Sequence, residues 1–169
     1  MKFPVLLGLL FFFVMPGYTI DYEENLPLDV EHHFALEHSA RISAHRVFEN
    51  GKTEIFITEN HTEKRTPEDL LLYFPVQGCF KRGVKYRLEF TIRSNAVAKV
   101  FAGVQADRAH ADFLTSETLE LDKGVAQFVK MDWAVKNEKD VYRVPVFLLG
   151  NASAGTRIQI YHFRFFEYR

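Results

Sequence analysis

A two-residue alternation of apolar and polar side chains is the most regular feature of the chain, and it is clearest between residues 86 and 93. The apolar positions there are Tyr86, Leu88, Phe90 and Ile92, and the polar ones are Arg87, Glu89, Thr91 and Arg93. Only an extended strand places each set on a face of its own. Shorter or less regular runs predict further strands at 53–58, 70–76, 98–105, 118–121, 126–135, 141–149 and 156–166.

Turn residues separate these runs every 8–15 positions. The Asn50-Gly51 pair is the strongest of them, since this dipeptide favours a tight hairpin. Pro145 interrupts the apolar run at 141–149, which favours an edge position or a bulge for that strand. No amphipathic helix of three turns is indicated, and residues 109–114 allow one short helix at most. The pattern therefore predicts an all-β protein, a jelly-roll β-sandwich of two antiparallel sheets with about 8–9 strands.

The N-terminus differs from the rest of the chain. Lys2 precedes an apolar run from Pro4 to Val14, and Pro16 and Gly17 end it. This layout is typical of a secretory signal peptide, and the run is shorter than the ~20 residues of a membrane-spanning helix. We therefore expect a signal peptide at 1–19, an N-terminal segment at 20–46, a β-sandwich domain at 47–169 and secretion without stable membrane insertion. A signal anchor that stays uncleaved is the alternative.

Composition narrows the function classes. Hydrophobic residues make up 47% and charged residues 25% of the chain, which excludes disorder. The formal net charge is −1, which argues against binding nucleic acid or an anionic membrane through a general positive field. The 17 Phe residues favour strands.

Individual residues with special chemistry are few. Cys79 is the one cysteine, so no internal disulfide forms, and we expect it to be a small buried hydrophobe in a turn. An intermolecular disulfide is the alternative. Asn60 and Asn151 begin the two Asn-x-Ser/Thr sequons, and each is a predicted glycosylation site in a surface loop. The histidines lack the spacing of a zinc motif, so no metal site is predicted from the residues.

Residues 47–167 resemble the jelly-roll carbohydrate-binding modules attached to glycoside hydrolases, within the galactose-binding-like group. The resemblance is carried by Gly83–Phe90, which matches Gly-x-x-Tyr-x-Leu-x-Phe, by Pro145–Gly150 and by Gly155–Ile160. It implies a sandwich that binds a glycan on a concave sheet face or in edge loops. The family's structural calcium uses a pair of Asp after the last core Ile. Tyr161 and His162 stand there instead, so no cofactor is expected.

Sugar recognition combines aromatic rings with polar side chains that hydrogen-bond hydroxyl groups. The candidate ligand-binding residues chosen on that basis are Arg87, Arg93, Phe101, Gln105, Trp133 and Tyr142. In the alternative interpretation Phe101 and Trp133 belong to the core, and the arginines form a solvated face with Glu89.

The sequence thus favours a non-catalytic glycan- or polysaccharide-binding module. Residues 141–149 are apolar on both strand faces, so a protein partner or a homodimer that uses the outer face of this strand is the runner-up. Packing of this face under the N-terminal segment is the alternative to such an interface, and we prefer it. A small glycan-acting hydrolase is a second alternative. Catalysis is not expected, because no nucleophile, phosphate-binding or zinc motif is present and the many carboxylates suggest no particular pair.

Overall fold

The computed structural model describes residues 34–61, 66–105, 113–135 and 139–168, with the side chains of 75–80, 139–144 and 168 left out. These residues form ten strands, which are β1 (Ala35–His38), β2 (Ile42–Glu49), β3 (Lys52–Asn60), β4 (Leu70–Phe80), β5 (Lys85–Ser94), β6 (Ala98–Gln105), β7 (Phe113–Leu121), β8 (Ala126–Ala134), β9 (Lys139–Leu148) and β10 (Arg157–Tyr168). A 3-10 helix, Pro67–Asp69, precedes β4. No helix in these ranges is long and apolar enough to cross a membrane.

The strands form two five-stranded antiparallel sheets that pack face to face. The order is β1-β4-β9-β6-β7 in the first sheet and β2-β3-β10-β5-β8 in the second. The predicted jelly-roll sandwich is confirmed. Two strands, β1 and β2, begin before residue 47, so the sandwich includes residues that the sequence pattern assigned to an N-terminal segment. The predicted signal peptide lies outside the described residues.

The core lies between the sheets and is built from the inward face of each strand. In β5 the four apolar positions of the alternation, Tyr86 to Ile92, are at most 1% exposed. Phe90 of this strand meets Phe147 of β9 edge to face across the sandwich, with ring centroids 5.1 Å apart. Removal of these large side chains from water is the main favourable contribution to folding. The strand predicted most clearly is therefore the centre of the core.

Two local features follow from backbone conformation. The β2–β3 hairpin turns at Asn50 and Gly51, whose φ angles of 53° and 70° match the tight turn that Asn-Gly predicts. In β10, His162 adopts φ 55° where the pairing with β5 shifts between Tyr161 and Arg164. This β-bulge brings Phe163 against Phe34, with ring centroids 5.7 Å apart.

The structure decides between the two alternatives for Pro145 and corrects two other sequence expectations, for Cys79 and for residues 109–114. Strand β9, with Pro145, is not at an edge but lies between β4 and β6, and its pairing with both is irregular near the proline. The bulge alternative is therefore the correct one. Cys79 is not in a turn, because β4 continues to Phe80 through irregularities near Pro75 and Gly78. Strand β7 begins at Phe113, so the short helix is wrong for residues 113 and 114, and 109–112 lie outside the described residues.

Candidate functional site

The outer face of the first sheet carries an aromatic and aliphatic cluster that is separate from the core. We call it the first-sheet face, and its members are Ala35, Leu71, Tyr73, Phe101, Phe113, Val146 and Leu148. It forms because β9 is apolar on both sides, with Phe147 in the core and Val146 and Leu148 turned outward. Sheets of this kind commonly have one solvated polar face, so an apolar outer face is a candidate binding surface.

Two phenylalanines form the aromatic part of this face. The rings of Phe101 in β6 and Phe113 in β7 meet edge to face, with centroids 4.8 Å apart. Gly103 makes this contact possible, because a Cβ at that position would lie 2.7 Å from Cδ1 of Phe113. The missing side chain leaves room for the Phe113 ring beside the strand. Both rings are partly exposed, so they offer a face to a ligand.

Polar groups border the apolar cluster. The Tyr73 hydroxyl donates a hydrogen bond to Oε1 of Glu37 in the neighbouring strand β1. Gln105 follows Phe101 and Gly103 at two-residue intervals in β6 and is 8% exposed. Its amide supplies both a donor and an acceptor. The face thus combines apolar rings with groups that can hydrogen-bond hydroxyls.

The predicted apolar outer face of residues 141–149 exists at Val146 and Leu148. These two side chains are 0% and 6% exposed, because residues of the same face cover them. At these two positions the strand therefore offers little accessible apolar surface to a partner, and the side chains of 141–144 lie outside the described part of the structure. The accessible carbon atoms of this face belong mainly to partly exposed residues such as Phe101, Phe113 and Leu71.

The two candidate arginines lie on the opposite side of the sandwich. Arg87 and Arg93 belong to the outer face of the second sheet, which we call the second-sheet face. Arg87 is held by Asp132 of β8 through two hydrogen bonds, Nε to Oδ1 at 2.6 Å and Nη2 to Oδ2 at 3.0 Å. Lys130 lies 3.8 Å from the same carboxylate. The solvated-face interpretation therefore fits Arg87, and the structure does not bring it near Phe101.

The remaining aromatic candidates do not join either face. Trp133 lies in the core at 7% exposure, since it alternates with outward residues of β8 together with Val129 and Met131. Its ring stacks with those of Tyr86 and Phe165, at 5.8 and 5.6 Å between centroids. The core interpretation therefore describes the position of Trp133, and its burial argues against the predicted ligand contact. Tyr142 belongs to β9, and its side chain lies outside the described part of the structure.

Two residues of the first-sheet face, Tyr73 and Phe113, and the bordering Glu37 were not predicted from the sequence. Tyr73 lies in a run that is apolar at nearly every position, so alternation gave no sign of an outer face. Phe113 fell in an expected polar connection, and Glu37 fell in the segment before residue 47. The one available signal was the apolar character of both faces of residues 141–149, which implied that the neighbouring strands also carry apolar outer residues.

The two sequons lie at one corner of the sandwich. The side-chain amide of Asn60 donates to the carbonyl oxygens of Gly150 and Ala152, at 3.2 and 2.8 Å, and so fastens the end of β3 to the loop after β9. Asn151 lies within that loop and is partly exposed. Glycosylation at both positions stays a prediction, and a glycan on Asn60 would compete for the nitrogen that makes these bonds.

A structural calcium does not fit the positions where the resembled family holds it. Tyr161 and His162 offer no carboxylate there, and hard cations prefer oxygen ligands. Across the described ranges no three His, Cys, Asp or Glu side chains are grouped as a metal site requires.

Solved carbohydrate-binding modules share this architecture. A CBM4 module superimposes with a TM-score of 0.66 at 13% identity, covering 87% of this chain and 96% of its own. The two N-terminal cellulose-binding domains of Cellulomonas fimi β-1,4-glucanase C give TM-scores of 0.53 and 0.52 at 10% and 16% identity, covering 80% of this chain and 89% and 86% of their own. The chain has the fold of a carbohydrate-binding module. No protein-family model matches the sequence, and no curated protein does.

Proposed function

We propose that this protein is a secreted, non-catalytic module that binds a glycan through the first-sheet face. The observation that carries the proposal is the aromatic cluster around Phe101, Phe113 and Tyr73, which lies outside the core in a fold shared with carbohydrate-binding modules. Secretion rests on the apolar N-terminal run, and N-terminal sequencing of exported protein would test it.

The chemistry of the face suits a sugar. Pyranose rings present C–H groups on their faces and hydroxyls at their rims, so they pack on aromatic rings while polar side chains bind the hydroxyls. Phe101 and Phe113 supply the rings, and the exposed Glu37, which accepts the Tyr73 hydroxyl hydrogen bond, supplies a polar group at the border beside the largely buried Gln105. Because Tyr73 and Gln105 are each 8% exposed, packing holds them in place before a ligand arrives. This reduces the entropy cost of binding.

The carboxylates that the structure describes on this face argue for binding without hydrolysis, and the side chain of Asp140 in β9 lies outside the described part. Glu37 lies on β1 and Glu120 on β7, which are the two edge strands of the first sheet. Four strand spacings separate them, roughly 19 Å. Glycoside hydrolases place their two carboxylates roughly 5–9.5 Å apart. This pair is therefore too widely spaced, and Glu37 is already bound to the Tyr73 hydroxyl.

Affinity electrophoresis in native gels tests the proposal. The mature chain is run through gels that contain hydroxyethylcellulose, xylan or galactan, and its retention is compared with that of Phe101→Ala. Phe56→Ala is the matched control, since Phe56 is a partly exposed ring on the second-sheet face. We expect retention by at least one neutral polysaccharide and roughly a fivefold or greater loss of affinity in Phe101→Ala alone.

Three results would contradict the proposal. The first is no retention by any of the polysaccharides, and the second is an equal loss of affinity in the two variants. The third is a dimer in light scattering that Phe101→Ala converts to a monomer, since this would assign the face to a second copy of the chain. Thermal unfolding of each variant shows whether lost retention reflects the face or a lost fold.

A further inference from the structure

We propose that the second-sheet face is a separate binding site for an acidic glycan, in which Arg93 holds an anionic group, Phe128 supports a sugar ring, and Tyr161 with the Lys52 ammonium over its ring borders the far end of the sugar chain. These residues come from three neighbouring strands of the second sheet, β5, β8 and β10. The first-sheet face lies on the other side of the sandwich, so the two sites do not share a residue.

The charge pattern of this face singles out Arg93. Several cations of this face have partners: Arg87 and Lys130 contact Asp132, Arg157 contacts Glu54, and Lys52 lies over the Tyr161 ring and opposite Glu49 in the β2–β3 hairpin. Arg93 is exposed, and its side chain makes no hydrogen bond or ion pair with any residue that the structure describes. Lys85 is also exposed, but it lies at the other end of β5, roughly 26 Å along the strand. The guanidinium of Arg93 is therefore the cation beside Thr91 and Phe128 that is available to bind an external anion.

Aromatic rings flank the strand that carries Arg93. Phe128 in β8 is 63% exposed, although it is one of the largest apolar side chains on the sheet. Its cross-strand neighbour is Thr91, whose neighbour on the other side is Tyr161 of β10. The two aromatic positions are thus two strand spacings apart, roughly 10 Å, with the small Thr91 between them. This distance is comparable to the span of two units in an extended chain of pyranose rings.

The position of Arg93 relative to the rings defines the ligand. Arg93 lies two residues from Thr91 on the same face, roughly 7 Å along the strand. A terminal nitrogen of Arg93 lies beside Gly124, 3.8 Å from where a Cβ would stand, so no side chain blocks it there. A sugar chain that crosses from Phe128 to Tyr161 would run past this guanidinium. Guanidinium groups form paired hydrogen bonds with carboxylates and with sulfate or phosphate oxygens.

Local rather than general charge would cause this binding. The chain has a formal net charge of −1, so its overall charge does not attract a polyanion. A variant that loses one positive charge elsewhere on this face is therefore the matched control for Arg93→Gln, because the two variants change the net charge equally. Lys130→Gln serves this purpose, because it removes the same charge from the group around Asp132.

The test uses affinity electrophoresis of the mature chain against polygalacturonate, heparin and hydroxyethylcellulose. Polygalacturonate carries carboxylate groups, heparin carries both sulfate and carboxylate groups, and hydroxyethylcellulose is uncharged. We expect retention by at least one acidic polymer, a roughly tenfold loss of affinity in Arg93→Gln and in Phe128→Ala, and less than a twofold loss in Lys130→Gln. Retention by polygalacturonate identifies a carboxylate as sufficient, whereas retention by heparin alone identifies a sulfate requirement.

Several outcomes would overturn the inference. Equal losses in Arg93→Gln and Lys130→Gln would mean diffuse electrostatic attraction, and no retention by either acidic polymer would mean that there is no such site. Loss of acidic-polymer retention in Phe101→Ala would place the ligand on the first-sheet face. A dimer that Phe128→Ala dissociates would assign the ring to a contact between copies. Circular dichroism and thermal unfolding of each variant confirm that it is folded.

Discussion

Gly150 is the position where a single methyl group is expected to damage the sandwich most directly. It follows β9, at the point where the chain passes under the loop that contains the 3-10 helix. A Cβ on Gly150 would lie 2.1 Å from the carbonyl oxygen of Thr66, 2.9 Å from that of Pro67 and 3.0 Å from Cβ of Asp69. Two of these atoms are backbone, so no side-chain rotation relieves the contact.

The loss of folding stability in Gly150→Ala depends on how far the loop around Thr66 and Pro67 must move. The loop has to shift by about 1 Å to restore an ordinary C···O separation. That shift strains the hydrogen bond from Gly150 N–H to the Pro67 carbonyl, which is 2.9 Å long. Overpacking typically costs about 1–3 kcal/mol and one backbone hydrogen bond about 1 kcal/mol. We therefore expect a loss of roughly 3 kcal/mol, which corresponds to a melting temperature lower by about 6–12 °C.

Gly155→Ala is the control that separates crowding from backbone strain. Gly155 has φ 82°, and a Cβ there would meet no atom within 4 Å. Gly155→Ala should lower the free energy of unfolding by only about 1 kcal/mol, which is the cost of placing alanine in the left-handed conformation. Thermal unfolding followed by the fluorescence of the buried Trp133 compares the two variants. The reasoning is refuted if Gly150→Ala melts within about 2 °C of the parent protein, or no lower than Gly155→Ala.

Three further predictions concern the first-sheet face, the 3-10 helix and the core. Gly103→Ala should displace the Phe113 ring, whose Cδ1 would be 2.7 Å away, and weaken polysaccharide retention roughly three- to tenfold while lowering the melting temperature less than Gly150→Ala does. The hydrogen bond from Thr66 N–H lowers the pKa of Asp69 below 3.8, so its contribution to stability is present above pH 3.8 and is lost as the pH falls through the folded-state pKa. Urea titrations should therefore show a smaller acid destabilisation for Asp69→Asn than for the parent, and identical pH profiles would contradict this. Trp133→Ala should cost about 4 kcal/mol in urea unfolding followed by circular dichroism, because it removes the largest of three mutually stacked rings, the others being Tyr86 and Phe165. A loss below about 1 kcal/mol would mean that this cluster is not part of the core.

The sequence predicted the inward and outward faces of strands better than it predicted their neighbours. Alternation in 86–93 identified the buried set Tyr86 to Ile92, and the shared phase of Trp133 with Val129 and Met131 favoured the core. Pro145 left an edge position and a bulge as alternatives, and Gly78 wrongly indicated a turn where irregular pairing keeps it within β4. Those irregularities depend on contacts between distant strands, which local composition does not encode.

The outward-facing candidate residues predicted from the sequence lie on opposite sides of the sandwich for one geometric reason. Alternation shows that Arg93 in β5 and Phe101 in β6 both turn away from the core, but it does not show in which direction. Consecutive strands β5 and β6 belong to different sheets, so their outward faces lie on opposite sides of the sandwich. A set of outward residues gathered along the sequence is therefore shared between two surfaces. Phe101 and Gln105 lie with the first-sheet face and Arg93 with the second-sheet face, which is why the ligands proposed for the two faces differ in chemistry.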